Sequence, residues 1–337
     1  MQFNKIFYKV YNKQDLSSSE AIQAFNYIMS GKISNILISA FLVSLSLKGI
    51  SDNELLAAVK VLRSKSLKIK SIGNIVDTCG TGGDNKNTLN ISTATAILAA
   101  ASGVKVAKHG NKSVSSKSGS SDVLEKLGIN LNASLKKVEK SLNSINICFL
   151  MAPLYHKAMK NVADVRSELK IPTLFNILGP LLNPANASTQ LIGVYKKKWL
   201  LPIANCLVAL KVKKAWVVHG QDGLDEITTT TNTDAIEVNN NKIRKFTINP
   251  QKLGIKKTKL NQLKGKDPKY NATQIINLFT NNNKNKSYED IVVLNTAAVL
   301  FISGKCTNIR KGIELARENI NNGNAFKKLK ELKNMSN

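Results

Sequence analysis

The chain has 337 residues, a hydrophobic fraction of 43% and a formal net charge of +27. This length allows one large or two ordinary domains, and the composition is that of a globular protein rather than a disordered one. The start of the sequence shows no secretory signal, and the longest apolar segment, from Ile36 to Leu47, is too short to span a bilayer. The four cysteines are far apart, which excludes a disulfide framework or zinc site and favours reduced thiols in the cytoplasm.

The strong positive charge raises the question of a polyanionic partner. The chain has 49 lysines and arginines against 22 aspartates and glutamates, a balance that nucleic-acid-binding proteins share. Only five of the basic residues are arginines, whereas lysine, asparagine and isoleucine, which AT-rich codons favour, occur throughout the chain. We therefore attribute the charge to mutational bias, and nucleic-acid binding stays an alternative.

Residues 1 to 70 are predicted to be helical. Ser17-Ser-Ser-Glu20 has the form of a capping box, followed by apolar residues at helical spacing and by Gly31 as a stop. A second helix is predicted from Ser34 to Leu47, and Ser51-Asp-Asn-Glu54 caps a third.

From Gly73 onward the pattern changes to alternating strands and helices. The sequence predicts strands over 75–77, 104–107 and 215–219, and helices over 93–102, 122–128, 157–169, 292–302 and 312–332. This alternation predicts a parallel sheet with helices on its faces, and therefore an α/β fold. In the lysine- and asparagine-rich stretch 239–286 only a surface hairpin and a loop are predicted.

Two donor-rich loops follow neighbouring predicted strands. In the first, glycines 80, 82 and 83 let the backbone approach a ligand closely, and Asn90-Ile-Ser-Thr93 stands where a helix begins. The second, Lys108 to Ser116, supplies lysines and hydroxyls and leads to a helix start at Gly119-Ser120. Taken alone, Ser92 and Thr93 could be ordinary helix-capping residues, and the lysine- and serine-rich segment could be a solvated loop. Because the carboxyl ends of parallel strands converge, we expect one shared polyanion site.

Charged residues outside these loops complete the predicted site. Asp225 and Glu226 follow a buried strand, and paired carboxylates with a hydroxyl suit Mg²⁺, which also takes oxygens from substrate phosphates. Arg166 is one of few arginines in a lysine-rich chain, and its planar fork suits a carboxylate. Alternatives are a solvated acidic turn for the pair and a local salt bridge for Arg166. The three histidines show no metal-ligand spacing.

Together these segments resemble the anthranilate phosphoribosyltransferase family across nearly the whole chain. The matching motifs are Gly80-Thr-Gly-Gly-Asp84, Asn90-Ile-Ser-Thr93, Lys108-His-Gly-Asn111, Ser115-Ser-Lys-Ser-Gly119, Arg166 to Pro184 and Asp222-Gly-Leu-Asp-Glu226. Two positions depart from the family pattern: Lys112 stands where arginine is usual, and Lys157 where proline is usual.

The resemblance implies a nucleoside phosphorylase/phosphoribosyltransferase-like fold. A small helical domain, residues 1–70 with 164–185 returning to it, joins a larger α/β domain, residues 71–337, whose central sheet is mostly parallel. It also implies a cytoplasmic homodimer with the active site at the hinge, two Mg²⁺ ions per monomer, and no membrane or specific nucleic-acid partner. A contact with anthranilate synthase is a further expectation.

The resemblance also implies individual site residues. No obligate acid–base catalyst is expected among them, because the aromatic amine of anthranilate is already neutral at pH 7. The magnesium positions are Ser92, Asp225 and Glu226. The anthranilate positions are Gly80, Asn111 and Arg166. The phosphoribosyl pyrophosphate positions are Gly80, Gly83, Asp84, Thr88, Asn90, Ile91, Ser92, Thr93, Lys108, His109, Gly110, Asn111, Lys112, Ser113, Val114, Ser115, Ser116 and Ser120.

Two other functions remain open from the sequence. Pyrimidine nucleoside phosphorylases resemble this architecture, but they bind inorganic phosphate, and the Asp225-Glu226 pair with the Lys108 loop argues against them. A nucleic-acid-binding relative that has lost the reaction fits the net charge of +27, but it would need neither the carboxylate pair nor Arg166.

Overall fold

The computed structural model of the protein describes residues 2–112 and 118–337, which form fifteen α-helices, seven β-strands and five short 3₁₀ helices. The α-helices are α1 (Gln2–Tyr11), α2 (Ser18–Met29), α3 (Asn35–Lys48), α4 (Asp52–Ser64), α5 (Ile91–Ala101), α6 (Ser120–Lys126), α7 (Leu135–Ile145), α8 (Ala152–Tyr155), α9 (Ala163–Leu169), α10 (Phe175–Leu178), α11 (Leu200–Ala209), α12 (Pro268–Phe279), α13 (Lys286–Ile302), α14 (Ile309–Asn321) and α15 (Asn324–Ser336). The strands are β1 (Val76–Asp77), β2 (Val106–Gly110), β3 (Ile147–Met151), β4 (Thr189–Gly193), β5 (Lys214–Gly220), β6 (Thr233–Asn239) and β7 (Lys242–Ile248). The 3₁₀ helices are Lys157–Val162, Gly179–Leu182, Lys197–Trp199, Gln251–Leu253 and Leu260–Leu263.

The seven strands form one sheet in the order β3-β2-β1-β4-β5-β6-β7. The first five strands pair in parallel, and β6 and β7 add an antiparallel hairpin at one edge. Side chains alternate between the two faces, so that Trp216 and Val218 pack with the helices α5 and α12 to α15, while Ala215 and Val217 pack with α11 and the N-terminal helices. The predicted α/β class with a mostly parallel sheet is confirmed.

The N-terminal helices begin at the residues that the sequence singled out. Ser17 and Ser51 form complete capping boxes, and Ser34 caps α3 with its side chain. The helix α1 precedes all three and was not predicted individually. The apolar core of α1 to α4 also contains Val165 and Phe175 from the segment that leads to β4.

Several later stretches differ from the sequence prediction. The predicted helix 157–169 is a 3₁₀ helix followed by α9, and the predicted helix 312–332 is divided into α14 and α15. The strands β3 and β4 and the helices α7 and α11 were not predicted. The helix α6 begins at Ser120, as the Gly119-Ser120 start predicts and not at residue 122, because Gly119 is its N-cap and Asp122 accepts the Gly119 N–H from inside the first turn. The stretch 239–286 contains the end of the β6–β7 hairpin, as predicted, but also the helix α12, which was missed. No helix within residues 2–112 and 118–337 is both long and apolar enough to cross a membrane.

The carboxylate of Glu54 ties together three parts of the helical start. Glu54 is fully buried; its Oε2 lies 2.9 Å from Lys48 Nζ and accepts the Ser51 N–H at 2.9 Å. Its Oε1 accepts the N–H of Leu16 at 3.1 Å. One side chain therefore holds the end of α3, the start of α4 and the loop before α2.

We expect Glu54→Gln to lower the free energy of unfolding by about 2 to 3 kcal/mol, because one member of a buried ion pair is lost. Glu20→Gln is the matched control: it disrupts the same type of capping box in α2 at a more exposed position and should cost less than about 1 kcal/mol. Urea denaturation of both variants measures the difference, and equal losses would contradict the role of Glu54.

Candidate active site

A cleft with a volume of about 660 Å³ opens where the parallel strands end. Its walls come from the segments that follow β1, β2, β3 and β5 and from the helices α9 and α10. Ligand sites of open α/β sheets lie at this edge because loops and helix N-termini converge there. The cleft brings the glycine loop, the Lys108 loop, the carboxylate pair and Arg166 into one site.

The glycine loop after β1 lies directly against Asp225. A Cβ atom on Gly80 would come within 2.5 Å of Asp225 Oδ2, so a side chain at position 80 would displace the carboxylate. Gly82 has a φ of +64°, which glycine adopts without strain, and its N–H donates to Asp225 Oδ2 at 2.7 Å. The loop glycines therefore make room for a carboxylate as well as exposing backbone N–H groups.

Lys108 links this loop to the start of α5. Its side chain is buried, and its Nζ donates to the carbonyl of Thr78 and to the hydroxyl of Ser92, both at 3.2 Å. The backbone next to Lys108 is held by the neighbouring strand, since the N–H of His109 donates to Asp77 Oδ1 at 3.2 Å. The ammonium group thus sits at the positive end of a helix, where an anion is favoured.

Three carboxylates, Asp84, Asp225 and Glu226, line the same cleft. Burial raises the pKa of Asp225 to about 7, with a further contribution from the charge of Asp84. Burial, followed by the charge of Asp225, also raises the pKa of Glu226, whose carboxylate accepts the N–H of Ser92. Burial likewise raises the pKa of Asp84. Close, desolvated carboxylates repel each other, and a cation would relieve that repulsion.

The donor set fits Mg²⁺ bound together with a substrate. Among the described residues, no group of three His, Cys, Asp or Glu side chains is arranged to hold a metal ion by itself. Mg²⁺ is commonly held by one or two carboxylates plus water and substrate phosphates. Asp225, Glu226 and the Ser92 hydroxyl supply such a partial set of oxygen ligands, next to the N–H and ammonium groups of the cleft that could bind phosphate.

Arg166 lines the cleft without a carboxylate partner. Its guanidinium lies 5.8 Å from the centre of the Phe175 ring, and burial lowers its pKa. In the part of the chain that the structure describes, no carboxylate oxygen lies within 4.0 Å of it, so the alternative of a local salt bridge with Asp164 or Glu168 is not formed. A half-buried cation beside an aromatic ring suits a planar carboxylate ligand.

Two neutral histidines also line the cleft. The Nδ1–H of His109 donates to the carbonyl of Gly179 at 3.0 Å, since a carbonyl can only accept, which leaves Nε2 as an acceptor. The His109 and His156 rings meet edge to face at 5.2 Å. Burial lowers the pKa of His109 to about 3 and that of His156 to about 4, so both rings are uncharged at pH 7.

Nearly all the described residues of the predicted site lie on the cleft wall. These are Gly80, Gly83, Asp84, Thr88, Asn90, Ile91, Ser92, Lys108, His109, Gly110, Asn111, Lys112, Ser120, Arg166, Asp225 and Glu226. Thr93 does not line the cleft, because its side chain is buried within α5. The predicted positions Ser113, Val114, Ser115 and Ser116 lie outside the described residues.

Other residues of the site were missed from the sequence. His156 was not assigned to the site, and Gly193 was not singled out, although a Cβ there would lie 1.6 Å from the backbone oxygen of Asp225. Of the two departures from the family pattern, Lys112 forms an ion pair of 3.4 Å with Glu125, and Lys157 is an exposed part of the cleft wall.

The chain matches known protein families in both its helical N-terminal region and its α/β region. Residues 4–66 match the helical bundle domain of a glycosyl transferase family, and residues 72–326 match the a/b domain of a glycosyl transferase family. The anthranilate phosphoribosyltransferase of Clostridium kluyveri is 46% identical over 335 residues, which are 99% of this chain and 99% of that protein.

Solved structures give the same relationship. The anthranilate phosphoribosyltransferase of Thermus thermophilus is 35% identical with a TM-score of 0.91, covering 98% of both chains. The Saccharomyces cerevisiae enzyme in complex with PRPP and Mg is 28% identical with a TM-score of 0.92, covering 99% of this chain and 97% of that one. The same yeast enzyme with 4-fluoroanthranilate has a TM-score of 0.90 at 27% identity, with the same coverage.

The repulsion among the buried carboxylates leads to a prediction for Asp225→Asn. An acid whose folded pKa is raised stabilises the fold at low pH and loses that contribution as pH rises, here from about 4 to about 7. In EDTA at pH 8, Asp225→Asn should therefore raise the free energy of unfolding by about 1 to 3 kcal/mol, with a much smaller gain at pH 5.

Denaturant unfolding at the two pH values measures this difference. Asp222→Asn is the control in the same loop: Asp222 accepts hydrogen bonds from the hydroxyls of Thr228 and Thr230, so its substitution should destabilise the protein at both pH values. If Asp225→Asn also destabilised the protein in EDTA at pH 8, the carboxylates would not repel each other as described.

Proposed function

Because the chain belongs to the anthranilate phosphoribosyltransferase family, we propose which of its residues carry that family's reaction. The chain transfers the phosphoribosyl group from phosphoribosyl pyrophosphate to the amine of anthranilate. The products are N-(5-phosphoribosyl)anthranilate and pyrophosphate, in the second step of tryptophan biosynthesis from chorismate. The observation that carries the residue roles is one cleft that holds both a buried carboxylate pair and the unpaired guanidinium of Arg166.

The reaction needs positioning and charge stabilisation more than proton transfer. The aromatic amine of anthranilate is neutral at pH 7, so it can attack the ribose C1 without a base. C1 gains oxocarbenium character while the bond to pyrophosphate breaks, and negative charge grows on the leaving group. The residues of the cleft therefore act by orienting both substrates and by stabilising that charge.

The diphosphate end of the cleft is assigned to the glycine loop and the start of α5. Backbone N–H groups of the loop and of the helix N-terminus, together with the Lys108 ammonium, would hold phosphate oxygens in place of water. The remaining proposed contacts are Gly80, Gly83, Asp84, Thr88, Asn90 to Thr93, His109 to Ser116, and Ser120. For Ser113 to Ser116 the family resemblance alone supports the assignment. Thr93 is the weakest member, since its side chain lies inside α5.

Asp225, Glu226 and the hydroxyl of Ser92 would hold Mg²⁺ in the same wall, with two ions per monomer. When bound, magnesium offsets the negative charge that develops on the departing pyrophosphate. The roles of the protein groups follow from their contacts. Glu226 is kept in place by the N–H of Ser92, and Asp225 by the N–H of Gly82.

Anthranilate is assigned to the part of the cleft around Arg166. The guanidinium would take the carboxylate in two-pronged fashion, and Gly80 and Asn111 would complete the contact. The neutral rings of His109 and His156 add no charge that could compete with Arg166, because their pKa values lie well below 7.

A fluorescence assay tests the function and the role of Arg166 together. Wild-type protein mixed with phosphoribosyl pyrophosphate, Mg²⁺ and anthranilate should consume the anthranilate fluorescence, and no loss would refute the function. Arg166→Gln should raise the KM for anthranilate about 10- to 100-fold, because a charge-assisted hydrogen-bonded pair contributes about that much to binding. The KM for phosphoribosyl pyrophosphate should stay within about threefold.

Arg166→Lys is the matched control, because it keeps the charge and loses the planar fork. It should fall between the wild type and Arg166→Gln in its KM for anthranilate. An unchanged KM for anthranilate in Arg166→Gln would remove this residue from the anthranilate site while leaving the reaction itself untouched.

The homodimer and the domain arrangement remain part of the proposal. We assign residues 164–185 to the helical domain because most of their apolar side chains pack in the cluster that holds the N-terminal helices and also reaches α11 and the sheet, and the hinge then lies beside the cleft. In α3, Ile36, Ala40, Val43 and Leu47 form a stripe that faces away from this core, and Ile36 and Leu47 are 81% and 80% exposed. An apolar stripe of this kind favours a second subunit as its cover. The contact with anthranilate synthase stays a prediction.

Replacing the two ends of the stripe with Ile36→Glu and Leu47→Glu should therefore convert a dimer into a monomer. Sedimentation velocity should give twice the single-chain mass of 36.8 kDa for the wild type and the single-chain mass for the double variant. Ile72→Glu changes an equally exposed apolar residue outside α3 and should leave the dimer intact. A double variant that stays dimeric would place the interface elsewhere.

A further inference from the structure

Helix α13 carries a buried asparagine whose amide pairs with the backbone beside the carboxylate pair. Asn295 is fully buried; its Oδ1 accepts the N–H of Ile227 at 3.0 Å, and its Nδ2 donates to the carbonyl of Ile227 at 2.8 Å. The second hydrogen of Nδ2 goes to the carbonyl of Ile291, also at 2.8 Å. One side chain thus satisfies both backbone groups of the residue that directly follows Glu226.

An asparagine in the middle of a buried helix is unfavourable by itself. It has lower helix propensity than alanine or leucine, and burying an amide costs free energy unless its hydrogen bonds are made. Here both hydrogens and the oxygen of the amide are engaged, and two of the three bonds leave the helix for the loop. The contact therefore holds the loop at a set distance from α13, which a leucine of the same size could not do.

The same helix also contacts the other half of the proposed magnesium and phosphate site. Tyr288 lies seven residues before Asn295, which is two helical turns, so both side chains point from the same face. Tyr288 is fully buried, and its hydroxyl donates to the carbonyl of Asn90 at 3.4 Å. Asn90 is the N-cap of α5, two residues before Ser92.

We propose that Asn295 is a positioning residue that sets Asp225 and Glu226 relative to the N-terminus of α5, with Tyr288 as its counterpart on the α5 side. The carboxylate loop and the start of α5 are then both held by hydrogen bonds to the same helix, α13. The oxygens that would hold Mg²⁺ are therefore in position before the substrate binds. The proposal rests on the proposed function, because it concerns the binding of phosphoribosyl pyrophosphate with Mg²⁺.

A purely structural role for Asn295 predicts a different result. In that case its loss would lower stability and leave ligand affinity unchanged. Asn319 provides a matched control: it is a buried asparagine in the neighbouring helix α14, donates to the carbonyl four residues earlier, Leu315, and accepts from Asn324, away from the cleft. Asn295→Ala and Asn319→Ala therefore remove the same group from similar surroundings.

The experiment is isothermal titration of each protein with phosphoribosyl pyrophosphate in the presence of Mg²⁺, together with thermal unfolding without ligand. Both variants should lose thermal stability. Asn295→Ala should raise the dissociation constant at least tenfold, and Asn319→Ala should leave it within twofold of the wild type. Anthranilate KM at saturating phosphoribosyl pyrophosphate should stay within about twofold in both, because Arg166 is held by other elements.

Three outcomes decide the question. A dissociation constant of Asn295→Ala within twofold of the wild type, with lost stability, would reduce Asn295 to a structural residue and overturn the inference. If Asn295→Ala does not fold, Asn295→Asp keeps the acceptor for the Ile227 N–H while losing the donor, and the same tenfold criterion applies to it. A wild type that binds no phosphoribosyl pyrophosphate would instead refute the proposed function.

Discussion

The close approach of Asp225 to the strand ends is the constraint on which the site depends. Its carboxylate accepts the N–H of Gly82. Asp225 fits there only because position 80 lacks a Cβ atom that would meet the carboxylate, and position 193 lacks one that would meet the Asp225 backbone. Those two glycines come from the loop after β1 and from the end of β4, which are adjacent strands of the sheet. The strands β1, β4 and β5 lie side by side and run parallel, so the loop after β5 places Asp225 against the glycine loop after β1. A side chain at either position would move Asp225 away from Gly82 and take Glu226 away from the start of α5.

The charged groups of the cleft occupy two distinct environments. Lys108 lies among the carboxylates, and its attraction lowers the pKa of Glu226 and Asp77 in opposition to their burial. Arg166 stands where apolar and aromatic side chains line the wall, with no acidic partner among the described residues. A magnesium-bound diphosphate and an aromatic carboxylate need such different environments. The net charge of +27 adds nothing to this argument, because the groups proposed to distinguish the two substrates are a few side chains of the cleft.

How much the sequence predicts depends on whether the signal is local. The capping boxes at Ser17 and Ser51 and the loops after β1 and β2 were predictable, since their residues act within a few positions of one another. Asn295, Gly193 and His156 were not, because each acts through a partner far away in the chain, and a lone asparagine or glycine carries no local signal. The helix α12 was hidden by its lysine- and asparagine-rich surroundings, although Asp267 followed by Pro268 is a good helix start. Thr93 was assigned by its place at a helix start and by the family resemblance, but consecutive helical residues point in different directions, and its side chain lies inside α5.

The same carboxylates that prepare the site also oppose folding. Burial raises the pKa of all three acidic groups, and the charge of neighbouring carboxylates raises those of Asp225 and Glu226 further. These groups are a cost to the metal-free protein at neutral pH, and such strain persists only where the surrounding structure enforces it. Here the enforcement comes from hydrogen bonds to Gly82 and Ser92 and from the clamp of Asn295 on Ile227. A ligand that neutralises the carboxylates binds only the folded state, so it stabilises the fold in proportion to the logarithm of its concentration. If these carboxylates hold Mg²⁺ as proposed, affinity for the magnesium-bound substrate and stability of the protein are coupled through the same few oxygen atoms.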